Sequence, residues 1–451
     1  MTRAGFRSLL AVAIAAVVIR LAVSASFRGH SYVAAGPVKP EPEAAYLKRG
    51  EIGLGDSEQY LLLGASIRQR LSYSWNHEPN TFRTPGYPLL LALLNDNVSA
   101  IVIVQALLAG LTVLLAGLVG SKLFNSRVGL LGASLLAVDI PSIFSSGMVM
   151  SEVLFTFVVV LATVLVWGRS GDRGQETEGR RPRPMLRAAA AGLVLGFATL
   201  VRPIALFAFV PFGFVYVARR NWRGLVFMLV AFFVLPGIWA SRNYYHFHRF
   251  SLTSNGGYNL LYANAAAVLG DEQHTTWDIE RLNLARDFTS KLATDNPLEL
   301  AGAMTRKATS IILHDPLRYA WLCLRSVPRV VAGVKSDDLV LRMLAADVPA
   351  LPRSVLLGRD YGSRSTGVAI WLLAGFELLT AVGGFLLALV SIGLRRRREK
   401  KLFLVFTGLY FVAVALPFTD GRFRVPAMPF LYLAAATVLA GRKTRGGVEG
   451  A

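Results

Sequence analysis

A lone aspartate, Asp56, opens the polar stretch GDSEQYLLLGASIRQRLSYSWNHEPNTFRTPGYP, residues 55–88. The same stretch carries Arg83, followed by the turn-forming run Thr84, Pro85, Gly86, Tyr87 and Pro88, in which the prolines restrict the backbone. Further charged residues recur at wide intervals: Glu152, Arg202 beside Pro203, Arg242, Arg422 and Arg424. A carboxylate can accept a proton from an incoming nucleophile. Arginine suits phosphate, because its planar fork makes paired, charge-assisted hydrogen bonds. Acids and arginines gathered in one place would therefore suit an anionic substrate whose leaving group is a phosphate.

The chain has 451 residues, 54% hydrophobic and 17% charged, where soluble domains carry about a quarter charged residues. It reads as an all-α polytopic membrane protein. The net charge of +20 is not the footprint of a nucleic-acid partner, because the basic residues fall in short clusters between apolar runs, at 180–187, 219–223, 395–401 and 442–445. Such clusters mark cytoplasmic loops. The single cysteine, Cys323, excludes an intramolecular disulfide framework and any CxxC metal site.

Apolar runs place about ten transmembrane helices: 9–27, 98–120, 128–146, 152–168, two halves of 188–218 meeting near Arg202, 224–240, 368–394, 402–418 and 425–440. The first follows Arg3 and Arg7 without a small-residue cleavage pattern and is read as a retained span. Residues 85–94 are too short to cross and are expected to lie in the interface or re-enter. The arginine-rich loop 169–187 reads as a mobile cytoplasmic linker. Residues 305–334 read as interfacial helices on the outer leaflet. Three parts result: an amino-terminal transmembrane module, 1–240, including a first extracytoplasmic loop, 28–97; a long extracytoplasmic segment, 241–366; and carboxyl-terminal spans with a tail, 367–451. With both termini cytoplasmic, Asp56, Arg83, Glu152, Arg202, Arg242, Arg422 and Arg424 all fall on the outer face.

Each of these residues also has a plainer reading. Asp56 could be only the N-cap of a helix over 57–70. Arg83 could belong to a structural turn, and Glu152 to a helix start that favours an acid. Arg202 could snorkel to the interface, and Arg242, Arg422 and Arg424 could be interfacial anchors. His246 and His248, among aromatic residues, read as belt residues more than as zinc ligands. Arg20 and Glu377 read as packing or pairing residues, and Asp139 as a weaker site candidate. Asn97, Val98 and Ser99 match a glycosylation sequon by spacing alone.

The order of motifs resembles the bacterial membrane glycosyltransferases of the GT-C superfamily, in the family-39-like branch related to protein O-mannosyltransferases and lipid A aminoarabinose transferases. The matching pieces are Asp56 with Tyr60, RTPGYP at 83–88, SEVLFTF at 151–157, GLVLGFATLVRP at 192–203, SRNYYHFHRFSLTSNGGYN at 241–259 and GRFRVPAMPF at 421–430. The resemblance implies a GT-C-like fold with interfacial helices on extracytoplasmic loops. It also implies transfer of a sugar from a polyprenyl-phosphate-linked donor to an extracytoplasmic acceptor, at a bacterial inner membrane. Asp56 would be the general base of an inverting displacement, and Glu152 the second acid. Tyr60, Arg83, Tyr87, Arg202, Arg242, Asn243, Arg422 and Arg424 would contact substrate, with Arg202 the candidate for the lipid phosphate.

No cofactor is expected to be required. A divalent metal is left open, since many relatives carry adjacent acids where this chain has Asp56, Ser57 and Glu58. No soluble domain or glycine-rich phosphate loop is present to bind a nucleotide sugar. Competing readings are a lipid-linked glycan transporter or flippase, which a broken helix with intramembrane charge would also suit, and a polysaccharide ligase or polymerase, which would share the outer-face site and carrier lipid.

Overall fold

A chain in hydrocarbon must bond its own backbone, so long apolar runs become helices and breaks survive only where protein covers them. The computed structural model describes residues 2–27, 55–75, 77–167, 184–292, 294–343, 364–417 and 420–441. These are overwhelmingly helical, and the only strands among them form a small antiparallel hairpin, Ser74–Trp75 with Glu78–Pro79. Five described helices are long and apolar enough to cross a membrane: Arg3–Ser26, Val98–Leu123, Pro184–Val201, Trp222–Phe247 and Gly367–Gly393. A pair bent by 58°, Ser126–Ala137 and Ile140–Ser146, makes a sixth if taken as one span.

The expected ten spans are thus not all full-length crossings. Shorter apolar helices among the described residues are Glu152–Trp167, Pro203–Ala218 and Met428–Leu439, each of them shorter over its described residues than the roughly 20 residues a span needs. One break is at Asp139, whose carboxylate accepts from Ser142 N at 3.1 Å and restarts the helix ahead of Pro141. Another is at Arg202, where the backbone turns extended before Pro203. The hairpin expected at that arginine is therefore present. Residues 85–94 form Gly86–Leu93, 8 residues long and too short to span, and the amphipathic region folds as Pro297–His314 and Pro316–Ala332. Of the expected cytoplasmic linker, 169–183 lies outside the described residues, as do 28–54 of the first loop and the 442–451 tail.

The helices are held by close packing and by internal hydrogen bonds. Pro184–Val201 lies directly on Trp222–Phe247: a Cβ added at Gly192 would stand 2.1 Å from Met228 O, and one at Gly196 2.4 Å from Phe232 O. Only glycine lets the two backbones approach this far. Arg20, fully buried in the first span, donates to Ala137 O, Leu136 O and Ser142 Oγ and so ties that span to the bent pair. A second, smaller core around Leu261, Tyr262, Leu284, Leu300 and Met304 organises the segment between Trp222–Phe247 and the carboxyl-terminal helices.

The basic clusters meet carbonyls that helix ends leave unpaired. Arg187 donates to Leu165 O, Arg219 to Val166 O, Arg397 to Leu123 O and Phe124 O, and Lys401 to Leu394 O. Cations at helix C-termini also complement the helix dipole. These contacts gather the C-terminal ends of Val98–Leu123, Glu152–Trp167 and Arg364–Gly393 at one end of the bundle. The N-terminal ends of the same helices, and with them Glu152, face the other.

We predict that Gly192→Leu forces these two helices apart and destabilises the protein by about 1–3 kcal/mol, the usual range for overpacking. Thermal melting of the detergent-solubilised protein measures it, and an unchanged melting temperature would contradict the close approach.

Candidate active site

The helix Asp56–Arg70 does not use Asp56 as its cap. Gly55 occupies the N-cap position, and Glu58 reaches back to accept from Gly55 N at 3.0 Å. That is a capping contact three residues in, and it corrects the capping role the sequence allowed for Asp56. The Asp56 carboxylate is instead held between two guanidiniums, with Arg83 Nη2 at 2.6 Å from Oδ1 and Arg422 Nη2 at 3.1 Å from Oδ2. Gln59, one turn along the same helix face, accepts from Arg83 Nε at 2.7 Å. The Arg83 guanidinium also lies 5.2 Å from the centre of the Tyr60 ring.

The proline-rich turn after Arg83 packs against the segment that ends at Arg202. A Cβ on Gly86 would stand 2.7 Å from the carbonyl of Leu200 and from Val201 N. The turn therefore sits against the end of Pro184–Val201, next to Arg202. Arg202 Nη1 lies 2.7 Å from Glu152 Oε1, in a pair whose side chains are 16% and 3% exposed. Tyr60 links the two halves, with its hydroxyl 3.3 Å from Ser151 Oγ, immediately before Glu152. The Phe423 ring lies between Arg422, at 4.9 Å, and Arg202, at 6.0 Å.

Two carboxylates and three arginines, delivered by four separate stretches of the chain, thus converge at the end of the bundle opposite the basic clusters. Irregular backbone makes room for them. Residues 147–151 are buried between two helices and belong to neither, and Gln105 donates to Ser146 O just before that stretch and to Met148 O within it.

The other expected contacts stand elsewhere. Tyr87 is fully buried and donates to Gln105 Oε1 at 2.7 Å, so its hydroxyl supports the irregular stretch rather than a substrate. Arg242 donates to Tyr73 O and Asn80 O and lies 4.9 Å from the Trp239 ring centre, fastening the first loop to the end of Trp222–Phe247. Asn243, fully buried, donates to Ser251 O and accepts from Arg242. Arg424 is buried against Glu377 at 2.7 Å, which gives Glu377 the pairing expected of it. For these four, backbone carbonyls or an internal partner take up the groups that were expected to meet substrate.

Among the described residues no three His, Cys, Asp or Glu side chains gather as a metal set. Of the two acids named as possible ligands, Glu58 accepts from Gly55 N, and both Asp56 oxygens face cations. Gln59, Ser151 and Phe423 escaped the sequence reading. Gln59 had a signal in its spacing of three from Asp56 on a helix, and Ser151 and Phe423 lie inside the SEVLFTF and GRFRVPAMPF motifs.

The electrostatics follow from the geometry. Burial opposes ionisation of Asp56, but Arg83 and then Arg422 outweigh it and hold the carboxyl well below the usual carboxylate range. Conversely, burial pulls the Arg83 guanidinium down while Asp56 more than restores it, leaving it above its ordinary value.

Residues 87–248, less than half of the chain, match the family described as dolichyl-phosphate-mannose-protein mannosyltransferase. That segment holds Glu152 and Arg202, while Asp56, Arg83 and Arg422 lie outside it. No curated protein matches the chain. Among solved structures, the chain is similar to the oligosaccharyltransferase AglB from Archaeoglobus fulgidus, in complex with an inhibitory peptide and a dolichol-phosphate. The identity is 18% and the TM-score 0.47, over 96% of this chain and 50% of that one. This chain therefore spans about half the length of that relative. It is also similar to ArnT from Cupriavidus metallidurans bound to undecaprenyl phosphate, at 12% identity and a TM-score of 0.37, over 94% of this chain and 77% of that one. The class is an all-α polytopic membrane protein, and the family match agrees with the resemblance to GT-C glycosyltransferases drawn from the motifs.

With the Asp56 pKa depressed from an unfolded value of about 4, the stability its ion pairs contribute is present above that pH and is lost as pH falls toward the folded value. We predict that the melting-temperature advantage of the wild type over Asp56→Asn, seen near neutral pH, shrinks below about pH 4. A difference that stays constant across that range would contradict the ion-paired assignment.

Proposed function

We propose that the protein is a membrane glycosyltransferase that moves a sugar from a polyprenyl-phosphate-linked donor to a hydroxyl acceptor on the extracytoplasmic face. The observation that carries this reading is the convergence of Asp56, Arg83, Arg422, Glu152 and Arg202 through three short ion pairs. Taken together, these groups hold three positive and two negative charges. The excess of one matches the single negative charge of a sugar phosphodiester.

In the ligand-free arrangement both Asp56 oxygens are occupied, which keeps the carboxylate ionised but makes it a poor base. An arriving donor phosphate competes for the guanidiniums of Arg83 and Arg422. As they turn to the phosphate, Asp56 gains basicity and a free lone pair. It then takes the proton from the acceptor hydroxyl while the acceptor oxygen bonds to the anomeric carbon, and the bond from that carbon to the phosphate oxygen breaks. The polyprenyl phosphate leaves with one more negative charge than it brought. Arginines already in place stabilise that charge more in the transition state than in the bound donor, which is the condition for accelerating the chemistry. A single displacement inverts the anomeric centre.

Arg202, held by Glu152 at the hairpin tip, is the third phosphate ligand, and Glu152 keeps its guanidinium compensated between turnovers. Tyr60 lines the site beside Arg83. The positive-inside pattern puts both termini in the cytoplasm and this end of the bundle outside, where lipid-linked sugars are accessible and nucleotide sugars are not. The family match over 87–248 supports the donor class. A bacterial inner membrane fits the same resemblance.

We predict that purified protein, offered a panel of polyprenyl-phosphate sugars, releases polyprenyl phosphate from at least one, and that Asp56→Asn lowers that turnover by about 10²–10⁴-fold, the range for loss of a general base. Arg202→Gln raises the donor KM. An Asp56→Asn enzyme with wild-type turnover, or no turnover of any donor by the wild type, would sink the proposal.

A further inference from the structure

A lysine that the chemistry above does not use is buried behind the site. Lys335 follows the Pro316–Ala332 helix and its side chain is only 5% exposed. Its ammonium lies 2.6 Å from Asp338 Oδ2, 3.2 Å from Asp420 Oδ1 and 5.4 Å from the Phe144 ring centre. The backbone around it is anchored as firmly. Lys335 N and Ser336 N both donate to the Glu377 carboxylate, as does Ser336 Oγ at 2.6 Å, and Arg424 bridges Glu377 to Gly333 O. A buried ammonium is costly unless paired, so its position follows from the two carboxylates that surround it.

The second of those carboxylates reaches the site. Asp420 Oδ1 accepts from Arg422 N at 3.0 Å and caps the turn Gly421–Arg424, and Asp420 Oδ2 lies 3.9 Å from Arg422 Nε. Arg422 in turn meets Asp56. An unbroken run of alternating charge therefore leads from Lys335 through Asp420 and Arg422 to Asp56. The turn is also anchored at its far end, where Arg424 meets Glu377 and Gly333 O and Gly421 packs against Gly333, but Asp420 is the described residue that bonds the Arg422 backbone itself.

Building on the reading of Asp56 and Arg422 as a substrate site, we infer that Lys335 and Asp420 are positioning residues, which fix Arg422 opposite Asp56 and so tie the long segment before the carboxyl-terminal spans to the reacting centre. Lys335 compensates Asp420 at Oδ1, the oxygen that also accepts from Arg422 N, so Asp420 can hold the Arg422 backbone without capturing its guanidinium. With Lys335 removed, Asp420 loses that compensating charge and pulls harder on the Arg422 guanidinium, 3.9 Å away at Nε, against both Asp56 and the donor phosphate. The donor still binds through Arg83 and Arg202, but the arginine meant for the leaving phosphate is misplaced.

The test uses the full-length purified protein with a polyprenyl-phosphate sugar that the wild type turns over. Lys335→Met and Asp420→Asn are each expected to lower kcat by about tenfold to a hundredfold, the size of effect a misplaced catalytic group produces, while the donor KM stays within about threefold. The double variant should be no slower than the slower single one, since both act through one contact. Lys335→Arg, which keeps the charge, should recover most of the rate. If Lys335→Met does not fold, Asp420→Asn, which keeps the shape of the turn cap, carries the comparison. A lowered melting temperature with kcat unchanged, additive losses in the double variant, or Lys335→Arg as slow as Lys335→Met would overturn the inference. Asp56→Asn separates the two readings. If it is inactive while Lys335→Met is normal, the site stands and the positioning role falls; if it is unimpaired, the site reading itself fails.

Discussion

Charge brought to the edge of a hydrocarbon layer must be compensated, and that requirement shapes this molecule more than any other. Asp56 between Arg83 and Arg422 is its centre, with the Glu152–Arg202 pair close by. Each group alone would be expensive to hold among buried side chains. Together they are tolerable only if the elements carrying them are placed to within a hydrogen-bond length. Much of the surrounding fold can be understood as meeting that demand. Gly86 lets the proline-rich turn touch the end of Pro184–Val201, and Gln105 supports the unwound backbone that ends at Glu152. Arg242 fastens the first loop to a neighbouring span.

The two ends of the bundle treat cations differently. At the basic end, Arg187, Arg219, Arg397 and Lys401 donate to carbonyls at helix C-termini, a use of positive charge that needs no acid. At the other end, arginines meet carboxylates. A site built from carboxylate and guanidinium can exchange its internal partners for a substrate phosphate, because the incoming group is itself an anion with oxygen acceptors. A guanidinium bound to backbone carbonyls, such as that of Arg242, has no comparable anion to release.

Much of this was legible in one dimension. Apolar runs and basic clusters announced a polytopic helical protein, and Arg202 beside Pro203 announced a broken hairpin. The two carboxylates and three arginines of the site were all singled out by type and by loop parity. Parity says which end of the bundle a residue occupies, but it says nothing about lateral position. Arg83, Arg242, Arg422 and Arg424 were indistinguishable on that basis, and the fold separated them: Arg83 and Arg422 meet Asp56, Arg242 meets carbonyls, and Arg424 is enclosed with Glu377. Tyr87 misled for a related reason, since a tyrosine in a conspicuous turn can face inward as readily as toward a ligand.

The sequence by itself determined the class of the protein, the end at which its charges collect and the residue types available there, because hydropathy and charge asymmetry act locally along a chain. Only the tertiary structure decided which arginine answers which acid, that Glu58 rather than Asp56 serves the helix start, and that Lys335 and Asp420 stand behind Arg422. Those assignments depend on contacts between segments up to 366 residues apart. Ion pairs and hydrogen bonds act over a few ångströms, and no local pattern encodes which distant segments a fold will bring within that range.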